Sequence, residues 1–365
     1  MALERRTVLV FVGLLLFVLA AVEASPFVGA GSIDVLHAFP AWWNWQFHGA
    51  RLDPEGSAMV LDLRLLRTVM ALLAGGGLAL TGAAFQATLR NPLAEPSTLG
   101  VSSAAAVGAF VSIAFPALQF SVNIPLPVLH WKLCVLSSTQ AGAFVTALAE
   151  IALIYGVARL SGQLRISSLL LAGVTLSFMS AGVILLLIHL SADPYKIQYY
   201  ETWLMGSVDV VEWSKVVPVA LLGIPAGLVL LWQAHALNPI ALGDDFARGR
   251  GVSVERVQTL IFVAGSVLTA AVVSTVGPIA FVGLIVPHFV RRLVGSDQRA
   301  VLLASLLCGA GFLVACDVAV RFEYMCWNWA GFEQLPFFPV GLVTALLGGP
   351  MFLYVLIRTQ RGARM

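Results

Sequence analysis

Arg90-Asn91-Pro92-Leu93-Ala94-Glu95-Pro96-Ser97-Thr98-Leu99-Gly100 is a polar, twice proline-broken stretch between two apolar segments rich in glycine and alanine. Each proline removes a backbone donor and disfavours helix at the residue before it, so Asn91 and Glu95 are expected to be extended or turning. Freed backbone groups facing lipid are costly, so the hinge is expected to lie against protein or along a path. Asn91 is the side chain placed to satisfy some of those groups.

The flanking segments set the context. Of the 365 residues, 59% are hydrophobic and 11% charged, and the mean hydropathy is +0.92. That composition predicts an all-α polytopic membrane protein forming one transmembrane domain over 1–365. A crossing helix needs roughly 20 apolar residues to span a core about 30 Å thick. Windows of that kind lie near 7–24, 65–88, 98–115, 133–158, 167–190, 215–233, 257–276, 279–293, 300–320 and 337–357, giving about ten transmembrane helices, with the eighth short for a full span.

Basic residues should collect on the cytoplasmic side. With both termini cytoplasmic, the inner segments hold Arg5, Arg6, Arg90, Arg159, Arg165, Arg248, Arg250, Arg256, Arg291, Arg292, Arg299, Arg358, Arg361 and Arg364, which is 14 of the 21 basic residues. Six of the 19 acidic residues lie there, and twelve lie outside or at outer helix ends, so the net charge of +2 hides a steep asymmetry. The first window has a second reading, a cleaved signal peptide, because Arg5 and Arg6 precede an apolar run ending in Val22-Glu23-Ala24. Removing it would leave nine crossings.

Several chemistries find no support. Cys134, Cys308, Cys316 and Cys326 have no paired spacing, the six histidines show no ligand spacing, and HExxH is absent, so no metal site and no intramembrane metalloprotease is expected. Leu160-Ser161-Gly162-Gln163 resembles the signature of an ABC ATPase, but no GxxxxGK[ST] phosphate loop exists. The chain is therefore not expected to hydrolyse ATP itself, and neither a bound cofactor nor a nucleic-acid partner is expected.

Small residues at four-residue spacing mark close helix contacts in membranes. Gly75, Ala79, Ala83 and Ala87 form one such stripe before the hinge, and Gly100, Ala104, Gly108 and Ser112 form another after it. Bundle packing and a translocation path explain them equally well. A second interrupted segment, Gly277-Pro278-Ile279-Ala280-Phe281-Val282-Gly283 with Pro287 and His288, stands in the other half of the chain. Paired breaks of this sort point to a pathway between two repeats.

The longest charged inner loop, within 234–256, reads Ala241-Leu242-Gly243-Asp244-Asp245-Phe246-Ala247-Arg248-Gly249-Arg250-Gly251-Val252. Ala241, Leu242 and Phe246 would share one face of a short helix, with Asp244 and Asp245 near its amino end and Arg248 near its carboxyl end, as the helix dipole favours. Gly249 and Gly251 would end it. Such a helix is either an idle surface loop or a knob that docks on a cytoplasmic partner.

Ordered motifs from about 64 to 355 then resemble a known family. They are Arg64-Leu65-Leu66-Arg67, Gly75 to Gly77, Gly82-Ala83-Ala84-Phe85-Gln86, Asn91-Pro92-Leu93-Ala94-Glu95-Pro96 with Leu99-Gly100-Val101, and Leu169-Leu170-Leu171-Ala172-Gly173. Further along stand Ala241-Leu242-Gly243, Gly283-Leu284-Ile285-Val286-Pro287-His288, Asp317 with Arg321, and Pro339-Val340-Gly341. Together they resemble the FecCD-type permeases of type II ABC importers, which carry ferric siderophores, haem or cobalamin.

The resemblance implies a homodimer of ten-helix subunits in the inner membrane, with two cytoplasmic ABC ATPase subunits carrying ATP and Mg, and a periplasmic substrate-binding protein. It implies a cytoplasmic gate at Asn91, Leu93 and Ser167. It assigns ATPase coupling to Ala241, Leu242, Gly243, Asp244, Asp245, Phe246, Ala247 and Arg248, and binding-protein docking to Arg64, Arg67 and Arg321.

The chain departs from the family pattern in three places. Leu66 stands where the family has Pro, the stretch from Phe322 to Phe338, over the expected outer loop 321–336, is longer and leaves Glu333 as the counterpart of an expected Glu before Pro339, and the first outer loop, 25–62, is long and holds Trp42, Trp43 and Trp45. Those tryptophans fit an interfacial belt or, with Trp327 and Trp329, an enlarged docking face. A rival function, an ion-gradient-driven carrier, rests on Glu150 inside a crossing. A passive channel rests on the paired Asn91-Pro92 and Asn238-Pro239. No residue separates one chelate from another, and ferric siderophore is the expectation from the resemblance alone.

Overall fold

A computed structural model of the chain describes residues 2–29, 33–48, 56–126, 131–160, 166–191, 193–331 and 337–362. Among the described residues thirteen α-helices follow in order: α1 Ala2–Ala24, α2 Val35–His48, α3 Ser57–Thr88, α4 Val101–Ala114, α5 Ser138–Leu160, α6 Ile166–Leu190, α7 Pro194–Leu204, α8 Trp213–Leu242, α9 Asp244–Gly249, α10 Val254–Val276, α11 Val282–Val294, α12 Gln298–Trp329 and α13 Val340–Gly362. A two-stranded antiparallel hairpin, β1 Ser121–Leu126 and β2 Trp131–Ser137, separates α4 from α5.

Each apolar window of the sequence contains a helix, although the fourth begins in β2. Six helices are long and apolar enough to cross a membrane: α1, α3, α6, α8, α10 and α12. The apolar parts of α4, α5 and α13 are shorter. At 13 residues, α11 extends about 20 Å, less than a bilayer core. Helix length and composition thus account for six of the ten expected crossings among the described residues.

Helix α3 is the axis of the packing, lying along α12, α8, α10 and α11. The small-residue stripes explain how. Any side chain at Gly75 would overlap the Gly309 carbonyl of α12, and any at Gly108 would overlap the Gly142 carbonyl of α5. These pairs let backbones touch where lipid offers no hydrophobic segregation. Gly75, Ala79, Gly108 and Ser112 are therefore accounted for by packing between helices rather than by an open path.

Four expectations about loops are corrected. The outer segment 25–62 contains α2, started by Asp34, whose carboxylate accepts the Leu36 and His37 backbone N–H groups at 3.0 and 3.3 Å. The fourth window begins in β2, because its first residues pair with β1, and α7 follows α6. Helix α8 runs through Pro218, Pro225 and Pro239 to Leu242, past the expected end at 233. Neighbouring helices let a buried helix tolerate proline. Helix α12 continues to Trp329, so most of 321–336 is helix, and Glu333 lies outside the described residues.

Polar contacts between helix ends sort the molecule into two faces that match the charge-based assignment. At one end Arg6 donates to the Arg292 carbonyl, and Asn238 donates to Asp297 at 2.8 Å. At the other, Gln140 donates to Thr275 at 2.9 Å, and Lys196 to the Ala114 carbonyl.

Candidate gate, coupling helix and outer arginine cluster

At the inner end of α3 the chain leaves the helix through Leu89 and Arg90, the latter with φ of 50°. The Asn91 N–H returns to the Gln86 carbonyl at 3.1 Å, and Asn91 Oδ1 accepts the Leu93 N–H at 3.0 Å. This side-chain turn is the local reason the hinge holds its shape. Ala94, Glu95 and Pro96 are buried, whereas Asn91, Pro92 and Leu93 are half-buried. The hinge is thus sheltered by protein, as its polarity demands.

The two interrupted segments meet. Any side chain at Gly82 would overlap Gly283, and Gln86 Nε2 donates to the Gly283 carbonyl at 3.1 Å. Arg291, one turn from the end of α11, donates to Gln86 Oε1 at 3.0 Å. Glu95 accepts the N–H of Phe281, the residue capping α11, as well as a hydrogen bond from Ser97. Burial pushes the Glu95 carboxyl up to about 7, against the pull of those two bonds. Phe281 has φ of 69°, a strained value for a residue with a side chain. Hinge and second break therefore form one packed unit.

Ser167 lies in the first turn of α6, but its side chain is outside the described part of the structure, so its relation to Asn91 and Leu93 is not defined. Glu150, on α5, is buried beside Gly100, the residue that opens α4, and its Oε1 has no hydrogen-bond partner among the described residues.

The coupling segment differs in detail from expectation. Ala241 and Leu242 close α8, Gly243 breaks the chain at φ of 134°, and α9 comprises only Asp244 to Gly249. Leu242 and Phe246 are exposed, whereas Ala247 is fully buried. The expected apolar face is thus split between two helices, because Gly243 adopts a backbone that a helix cannot continue. Arg248 donates to Glu255 at 2.7 Å and to Asp245 at 3.3 Å, and Arg250 lies 5.0 Å over the Phe246 ring. These contacts fix α9 on the start of α10. Arg90 Nη2 also donates to Asp244 Oδ1 at 2.6 Å, a contact across 154 residues that no local pattern signals.

At the outer end the three arginines are not presented to solvent, contrary to the exposed pairs expected. Arg64 donates to the Pro26 carbonyl at 2.6 Å. Arg67 donates through Nε and Nη2 to Asp317 at 3.2 and 2.8 Å, and through Nη1 to Asp209 at 3.0 Å. Arg321 lies 2.7 Å from Asp317 Oδ2, an ion-pair contact without hydrogen-bond alignment, and donates to the Ser25 and Val28 carbonyls at 2.8 and 2.9 Å. All three are buried. Nearby, Asp62 Oδ1 accepts from Trp42, Gln46 and Trp213 at 2.8, 2.7 and 3.0 Å. Trp42 is thereby a structural tie between α2 and α3, and Trp43 stacks with Phe47. Asp62, Asp209 and Arg291 had no motif to announce them, and although Arg90 and Gln86 stand in quoted motifs, their partners Asp244 and Arg291 lie in distant segments.

Among the described residues no cluster of three or more His, Cys, Asp or Glu side chains is placed to hold a metal.

Comparison with known proteins adds the wider frame. The sequence model of the FecCD transport family matches residues 13–358. The cobalamin import system permease protein BtuC of Halobacterium salinarum is 37% identical over 307 residues, covering 83% of this chain and 74% of that protein. The hemin transport system permease protein HmuU of Yersinia pestis is 33% identical over 357 residues, covering 98% and 97%. A solved chain described as an inward-facing conformation of a metal-chelate type ABC transporter superposes with a TM-score of 0.76 at 26% identity, covering 96% of this chain and 99% of that one.

Proposed function

The chain belongs to the FecCD transport family, and from that premise we propose that it is the transmembrane permease of an ATP-binding cassette importer in the inner membrane. The importer takes a metal chelate from periplasm to cytoplasm by alternating access. A second copy completes the pathway, two cytoplasmic ABC ATPases supply ATP hydrolysis with Mg, and a periplasmic binding protein delivers the cargo. Relatives named for hemin and cobalamin make those two cargoes candidates beside a ferric siderophore, which we place first.

The observation that carries this reading is the pair of exposed apolar side chains, Leu242 at the end of α8 and Phe246 on the short helix α9, which is pinned by Arg248 and joined to the hinge. A knob of that kind fits a groove on a cytoplasmic partner and has no use in a self-contained carrier. Asn91 and Leu93, half-buried at the inner end, are the moving parts of the gate, and Ser167 is assigned to the same gate on the family pattern alone. Arg64, Arg67 and Arg321 hold the outer rim in shape for the binding protein, because their donors are already engaged within the chain.

A second reading, an ion-gradient-driven carrier, draws on Glu150, buried with Oε1 unpartnered among the described residues. Complex formation separates the two. Leu242→Asp with Phe246→Ala should abolish co-purification of the ATPase encoded with this chain while the permease stays folded. Undiminished co-purification would count against the docking assignment.

A further inference from the structure

The 2.6 Å pair of Arg90 and Asp244 connects hinge and coupling helix directly. We propose that Arg90 is a positioning residue that transmits displacement of α9 to the gate hinge. The inference rests on the assignment of α9 as the ATPase dock.

Three observations favour transmission over simple stabilisation. First, Arg90 occupies a left-handed backbone position, φ of 50°, just past the C-cap of α3. Glycine is the usual and unstrained occupant of such a position, so local stability does not call for arginine. Secondly, the pair is half-exposed at both ends, and pairs of that kind contribute little to folding. Thirdly, the contact sits between a pivot and a packed unit. On one side Gly243 has open space around it and a backbone that other residues rarely adopt. On the other, Arg90 is followed directly by Asn91, whose side-chain turn leads to Glu95 and through it to the cap of α11. Movement of Asp244 is therefore handed to Arg90, and from there to both interrupted segments.

Arg90→Gly is the informative variant, because it suits the backbone and removes the side chain that carries the guanidinium. The test uses the full chain in lipid nanodiscs with its co-purified ATPase, and reads amide hydrogen exchange over 91–100 with and without ATP and vanadate. The wild-type complex should show a nucleotide-dependent change in exchange there. Arg90→Gly should cut that change by about fivefold or more, within the range of coupling energies between linked sites, with ATPase co-purification and thermal stability unaltered. The conservative swap of Arg90 for lysine, Arg90→Lys, should restore it, since it keeps the cation that meets Asp244 and leaves α9 untouched.

A wild-type nucleotide response in Arg90→Gly, or a loss that Arg90→Lys leaves in place, overturns the proposal. Failure of the docking assignment reads differently: the ATPase then stays bound to the Leu242→Asp, Phe246→Ala variant, and the transmission route falls with it.

Discussion

Replacing Asp317 should be among the most damaging single changes at the outer end of the bundle. Its carboxylate is fully buried between two guanidinium groups, bonded to Arg67 and within 2.7 Å of Arg321. Asp317→Asn would leave both cations buried, with only the largely exposed Asp209 to offset Arg67. Removing one partner of a buried ion pair costs about 3–5 kcal/mol, because the remaining charge is stranded. Asp209→Asn removes a partner whose side chain is 57% exposed and should cost about 1 kcal/mol or less. A compensated variant, Arg67→Met with Asp317→Leu and Arg321→Met, should recover much of the Asp317→Asn loss, since well-packed apolar groups can replace a buried ionic cluster. Thermal unfolding of the purified chain in detergent ranks the three. An Asp317→Asn protein no less stable than Asp209→Asn would refute the claim that this cluster, rather than an outside partner, satisfies the arginines.

Three further outcomes are expected. Glu95 holds its proton more tightly in the folded hinge than in the unfolded chain, so its contribution to stability should fall by about 1.4 kcal/mol per unit as pH rises from its ordinary value of 4.5 towards about 7, and level off above that. Hydrogen exchange at 91–100 across this range reads the effect, and Glu95→Gln should flatten it; an unchanged profile would remove Glu95 as its source. Trp42→Phe deletes one of three donors to the buried Asp62 carboxylate and should destabilise by about 1–3 kcal/mol, whereas Trp43→Phe, a ring-packing change, should cost less. Equal losses in thermal stability would contradict the distinction. Arg291→Met should loosen α11 against α3 through loss of the Gln86 contact, seen as faster exchange of the α11 amides; protection equal to the wild type would show that the contact does not hold them.

The apolar windows, the side assignment and the hinge were legible because each is a local or additive property. Helix length follows from runs of apolar residues, and the arginine asymmetry sums over segments, so neither needs a partner's position. Asn91 was readable for the same reason, since its turn closes within two residues. What escaped depends on distant pairing. The outer arginines resemble docking residues by motif, yet their carboxylate partner Asp317 stands some 250 residues away from Arg67, and only the packing of α3 on α12 turns them inward. The extension of α8 beyond 233 was hidden in part by Pro239, a residue that a water-exposed helix interior would not carry. The coupling segment was recognised as a helix, but the unusual backbone of Gly243 moved its start by three residues and divided its apolar face.

The central claim is that this chain is a conduit powered by a separate ATPase, and uptake by reconstituted vesicles tests it most directly. Vesicles holding the permease, its ATPase and its binding protein should accumulate a ferric siderophore, haem or cobalamin only when ATP is supplied to the cytoplasmic face, and collapse of proton and sodium gradients should leave the rate unchanged. Accumulation by the permease alone, driven by either gradient without ATP, would contradict the account.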